Sequence, residues 1–145
     1  MLMSPTKEDP VASRLNPYLS FNGNARQALE YYQGVFGGNL TMTTFGEFGQ
    51  EQGADKIMHG LLETGGGHTF MGADTPPGME YNPGDTITVS LSGDDADELR
   101  GYWEKLSRGG TISVPMEKQM WGDVFGMCVD QFGVPWMVNI SQPQG

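Results

Sequence analysis

Residues 86–110, TITVSLSGDDADELRGYWEKLSRGG, hold a strand, a cap, a helix and a stop in that order. Thr86 to Ser92 alternates strictly, with Ile87, Val89 and Leu91 opposite Thr86, Thr88 and Ser90, the pattern of a half-buried strand. Asp94 or Asp95 then stands where a side-chain oxygen can accept from the free amides of a helix start. That helix carries Ala96, Leu99, Trp103 and Leu106 on one face. Asp97 and Glu98 lie in its first turn and Lys105 and Arg108 at its other end, the charge order that the helix dipole favours. Gly109-Gly110 ends it, because glycine takes the conformations a chain needs past a helix end.

Working outward, residues 15–38 repeat the pattern in the first half of the chain. Leu15 to Phe21 puts Leu19 and Phe21 on one face and Tyr18 and Ser20 on the other. Asn24 is placed to cap a helix whose apolar face is Ala25, Ala28, Leu29, Tyr32, Val35 and Phe36. Gly37-Gly38 stops it, 72 positions before Gly109-Gly110. Three candidate strands follow each helix: about 39–45, 56–64 and 69–73 in the first half, and about 111–117, 123–129 and 136–140 in the second. Pro76 to Gly84 (PPGMEYNPG) is dense in turn formers and reads as the link. The expected fold is therefore α+β, two βαβββ modules forming a cupped mixed sheet. Module one spans about 14–75, the linker 76–84 and module two about 85–141, within one domain at 14–145.

The doubling has a physical reason. One helix covers one face of a four-stranded sheet, so the other face needs company or a ligand. Two such units would turn their bare faces, opposite Leu19/Phe21 and Val89/Leu91, toward a shared cup. A parallel-sheet nucleotide fold fits two helices and about eight strands poorly.

Composition narrows the partners. The net charge is −10, with 18 acidic and 8 scattered basic residues, which argues against nucleic acid and anionic membranes. No apolar run approaches the roughly 18 residues of a membrane span. Residues 1–13, MLMSPTKEDPVAS, carry Lys7, Glu8 and Asp9 where a secretory leader would be apolar, and are expected to be a flexible lead-in. The single cysteine, Cys128, excludes an internal disulfide and reads as a buried apolar group, so a cytoplasmic protein is expected.

Several segments together resemble the PhnB-like branch of the vicinal oxygen chelate superfamily, which unites glyoxalases, bleomycin-resistance proteins and extradiol dioxygenases. They are Pro17 to Ala25, Ala28 to Tyr32, Phe36-Gly37-Gly38, His59-Gly60, Met71 followed by Asp74, Trp121-Gly122, and Asp130 to Asn139. The ordered set runs from about Leu15 to Ser141. The resemblance implies paired βαβββ modules, a homodimer and a ligand cavity in each cup.

It also implies where a metal would sit, since enzymes of this superfamily hold a divalent ion with His, Gln or Glu from the first and last strands of each module. Carried over by strand parity, those slots fall on Asn16, Thr86, Met71 and Met137. Asn, Thr and two Met do not make a site for a hard cation. No metal and no other cofactor is therefore expected at that place. A divalent metal elsewhere, on His59, Glu63 and Glu47 or Asp74, is the alternative.

The remaining candidates have two readings each. His59, alternating with Ile57, Leu61 and Glu63, is a structural strand histidine or, with Glu63 as orienting partner, a catalytic base. His68, after three glycines, is a solvated turn residue. Trp121 and Trp136 stack on a planar ligand or fill the core, with equal weight. Met71, Met120, Met127 and Met137 are adaptable cup lining or core filler. Gly46 to Asp55 (GEFGQEQGAD) is a mobile loop, with a lid as the functional alternative. The glycine pairs follow helices instead of opening them, which argues against a nucleoside-dependent methyltransferase.

The expected function is binding of a small, partly planar molecule without a metal, through Tyr18, Ser20, His59, Thr88, Ser90, Trp121 and Met137. The alternatives are a metal-dependent lyase or dioxygenase using His59 and nearby carboxylates, and a structural partner protein with a filled cup. Catalysis stays open at this point.

Overall fold

The computed structural model describes residues 14–84 and 86–142; the lead-in expected at 1–13 lies outside the described residues. Module one runs β1 (Tyr18–Phe21), α1 (Ala25–Phe36), β2 (Asn39–Thr44), β3 (Ile57–Glu63) and β4 (Thr69–Asp74). Module two runs β5 (Val89–Gly93), α2 (Ala96–Ser107), β6 (Thr111–Lys118), β7 (Val124–Val129) and β8 (Pro135–Ile140). The sheets are ordered β1-β4-β3-β2 and β5-β8-β7-β6. In each, the first strand is parallel to the last and the other pairs are antiparallel. The fold is thus α+β, two βαβββ modules, as the paired periodicity predicts.

The repeat extends to individual close contacts. A Cβ on Gly38 would stand 2.0 Å from the Glu63 carbonyl oxygen, and one on Gly110 would stand 2.2 Å from that of Val129. Both glycines follow their helix and press its exit onto the end of the module's third strand, where any side chain would collide with backbone. Gly60 and Gly126 do the same in mid-sheet, beneath Leu29 of α1 and Trp103 of α2. These small residues let each helix settle on its sheet.

Both modules share one core. Phe21, Leu29, Tyr32, Phe36, Leu62 and Phe70 from the first join Leu106, Cys128, Trp136, Val138 and Ile140 from the second. Phe70 of β4 and Trp136 of β8 have ring centroids 6.4 Å apart, and Phe36 lies 5.7 Å from Trp136 and 4.8 Å from Tyr102. The helix-covered faces therefore meet each other. Each bare face lies on the far side of its own sheet from this junction, so within one chain the two do not turn toward the shared cup expected from the repeat: the apolar helix-covered faces bury each other instead. No helix among the described residues is long and apolar enough to cross a membrane.

Two local expectations change, and one is narrowed. Asn24 stands at the start of α1 but its side chain caps nothing; the amide of Ala25 donates instead to Asp74 Oδ1 at 2.9 Å. In module two Asp95, not Asp94, caps α2 by accepting from the Glu98 amide at 3.1 Å. The second module's first strand begins at Val89, not Thr86, so Ile87 leaves the buried face and is 76% exposed.

Candidate functional site

The bare face of module one is built by register. Tyr18 of β1 pairs Met71 of β4, which pairs Leu61 of β3, which pairs Thr41 of β2. Side chains alternate across a strand, so this row shares the face opposite α1. A shift between Thr43 and Thr44 sets Thr43 against His59 but Thr44 against Ile57. That bulge sends Ile57 into the core, fully buried, and leaves His59 half-buried on the bare face. Ile57 and His59 therefore do not share a face, contrary to the simple alternation.

The ring partner of His59 is Tyr18. Their centroids are 5.9 Å apart, and the Tyr18 hydroxyl lies 3.5 Å from Nδ1. Glu63, expected to orient His59, stands four residues further along β3. Four residues along a strand separate their Cα atoms by about 13 Å.

Beside this pair is a cavity of about 380 Å³. Tyr18 and Ser20 form one wall, Phe45 and Met58 another, and Met79 and Glu80 of the linker a third. Phe45, Met58, Met79 and Glu80 are absent from the residues singled out in the sequence. The turn-rich composition of 76–84 marks a connection, and nothing local says that it folds back over the bare sheet. The loop at 46–55 is internally hydrogen-bonded: Gly46 donates to Ala54 at 3.0 Å, Phe45 to Lys56 and Gln50 to Phe45 at 3.1 Å. Its base supplies Phe45.

The other expected residues lie on module two. Ser90 pairs Met137, which pairs Met127, in the row that corresponds to Tyr18, Met71 and Leu61. Thr88 precedes β5. Trp121 is 62% exposed in the turn between β6 and β7, packed edge-on against Phe125 at 6.0 Å, and Met120 beside it is fully exposed. Trp136, by contrast, is a core residue whose Nε1 donates to Asp130 Oδ2 at 2.8 Å. The structure thus brings Tyr18, Ser20 and His59 together and keeps Thr88, Ser90, Trp121 and Met137 in the other module.

The residues do not fit a divalent metal at the superfamily position. Asn16 and Thr86 precede their strands, and Met71 and Met137 present thioethers. The carboxylates of the alternative site are engaged in the fold. Asp74 is buried, with Oδ1 on the Ala25 amide and Oδ2 on the Ile57 amide, each at 2.9 Å. Glu47 Oε2 accepts from the Thr44 amide at 2.8 Å and its hydroxyl at 3.1 Å. Among the described residues no three His, Cys, Asp or Glu side chains converge. Cys128 is buried, and burial together with the charge of Asp130 pushes its thiol up to about 11, so it is no nucleophile at neutral pH.

Comparison with known proteins agrees with this architecture. The family model described as Glyoxalase/Bleomycin resistance protein/Dioxygenase superfamily matches residues 14–138. Protein YjdN of Escherichia coli (strain K12) is 30% identical over 144 residues, 90% of this chain and 97% of that protein. The crystal structure of protein PA1353 from Pseudomonas aeruginosa is 35% identical, with a TM-score of 0.82, covering 91% of this chain and all of the other. A PhnB protein from Bacillus cereus superposes with a TM-score of 0.71 at 20% identity, over 89% of this chain and 100% of that one. That last likeness is one of fold.

Proposed function

Since the chain belongs to the glyoxalase/bleomycin resistance/dioxygenase superfamily and resembles its PhnB-like members, we propose that it binds a small, partly planar molecule on the bare face of module one without a metal. The observation that carries this reading is the cavity of about 380 Å³ at Tyr18, with one wall supplied by the linker. Its size lies in the range of small-molecule sites, roughly 300–1,000 Å³. Tyr18, Phe45, Met58 and Met79 supply its larger apolar surfaces, and Ser20, Thr75, Glu80 and Asn82 are the polar groups that fix orientation, beside the buried Asp74.

The reading includes a cytoplasmic homodimer of single-domain chains. Within one chain the bare faces lie on opposite sides of the helix junction. A second copy bringing its own Ser90, Trp121 and Met137 face to Tyr18 and His59 would enclose the ligand. The exposed Trp121 and Met120 are apolar surface that such an arrangement would bury.

A thermal-shift screen of planar compounds, followed by calorimetry on the best, tests the proposal. Tyr18→Ala should abolish the shift while His68→Ala leaves it intact. Elemental analysis of untagged protein, purified without chelators, tests the metal-dependent lyase or dioxygenase. Stoichiometric zinc, nickel, manganese or iron that disappears in His59→Ala would replace the present reading with that one.

A further inference from the structure

A second cavity, of about 490 Å³, lies at the seam between the modules and shares no lining residue with the one at Tyr18. Its aromatic residues are Phe36, Phe70, Tyr102 and Trp136, the same rings that join the two halves. The β5 segment Val89 to Ser92 runs along it, with one side of that strand unpaired at the edge of its sheet. The one carboxylate in the lining is that of Glu98, and no lysine or arginine is among the lining residues.

We propose that this seam is a binding site for an organic monocation with an aromatic or other planar group. An aromatic face attracts a cation through its quadrupole, most strongly where water is excluded. The carboxylate of Glu98 supplies the matching charge, one helical turn before Tyr102 on α2. The Tyr102 phenol reports that negative potential: its pKa is raised by burial, then by the charges of Glu98 and Asp95. The site does not depend on the ligand proposed for Tyr18. The net charge of −10 further favours the approach of cations.

Benzyltrimethylammonium, titrated by calorimetry against benzyl alcohol and benzoate, is the probe. The expected result is saturable binding of the cation alone. Glu98→Gln keeps the shape and removes the charge, and should weaken binding about fivefold to tenfold. Tyr18→Ala should leave it unchanged, which separates this site from the other. No saturation at millimolar cation, equal affinity for benzyl alcohol, or loss in Tyr18→Ala with none in Glu98→Gln would each overturn the proposal.

Discussion

The Tyr32 hydroxyl on α1 donates to the Asp130 carboxylate beyond β7, at 2.5 Å, across the junction of the two modules. Both residues are buried. The same carboxylate accepts from Trp136 Nε1 at 2.8 Å and from the amides of Phe132 and Val134 at 2.8 and 3.1 Å. One side chain thus ties a helix of module one to the β7–β8 hairpin of module two. A hydrogen bond to a charged group contributes about 1.5–3 kcal/mol, so Tyr32→Phe should cost about that in urea denaturation. Asp130→Ala leaves four donors without their acceptor and should cost more than Tyr32→Phe. Equal, negligible losses would mean that the junction does not rest on this carboxylate.

The start of α1 offers a sharper contrast, because the residue at the cap position and the residue that caps are different. Asn24 makes no side-chain cap bond, whereas Asp74 holds the Ala25 and Ile57 amides. Asp74→Ala should therefore destabilise by about 1–3 kcal/mol, the cost of stranding buried donors. Asn24→Ala should fall within about 0.5 kcal/mol, the scale of a surface change. Chemical denaturation of both variants decides it. A larger loss in Asn24→Ala would restore the local cap.

Glycine substitutions should rank by what the new methyl meets. Gly38→Ala drives Cβ to 2.0 Å from a backbone oxygen, at a φ of 102° that side chains rarely adopt. Gly110→Ala meets backbone at 2.2 Å. Each should cost about 3 kcal/mol or more, since backbone must move. Gly60→Ala meets the tip of Leu29 at 2.4 Å, which can change rotamer, and should cost less. Thermal melts of the three proteins give the order, and a Gly60→Ala costlier than Gly38→Ala would contradict it.

These cases show which features the sequence made legible. The strand alternation at Tyr18 to Phe21, the helix faces, and the matched glycine pairs are local and periodic, so they reveal two modules directly. Asp74 capping a helix 49 positions earlier is not local, and no window of sequence contains it. The bulge opposite Thr43 and Thr44 defeats strict alternation, so the shared face that alternation predicts for Ile57 and His59 does not form. The equal weighting of Trp121 and Trp136 resolves only in three dimensions, one in an exposed turn and the other in the core. Tyr18 and Ser20 share a face by strand parity alone, and both line the cavity. The walls from Phe45, Met58 and the linker were not legible, because they depend on how two loops fold back.

Raising the pH should weaken the fold through two groups whose protonated forms it favours. Burial, reinforced by the Asp130 charge, lifts the Cys128 thiol from 9.0 to about 11. Burial, then the charge of Asp130 and the bond to it, lifts the Tyr32 phenol far above its ordinary 10.0. While both states are protonated, such a group contributes in full. Above the unfolded value the unfolded chain releases a proton that the folded chain retains, and unfolding gains until the folded value is passed. The Cys128 contribution is thus intact below pH 9.0 and lost as pH rises through about 11. That of Tyr32 starts to fall near pH 10.0 and keeps falling beyond. Urea midpoints measured against pH should be level near neutrality and decline above about 9. Cys128→Ala should remove the early part of that decline and keep the later part, and Tyr32→Phe should do the reverse. A midpoint that does not change up to pH 11 in the intact chain would contradict the burial of both groups, because exposed ones would titrate alike in the two states.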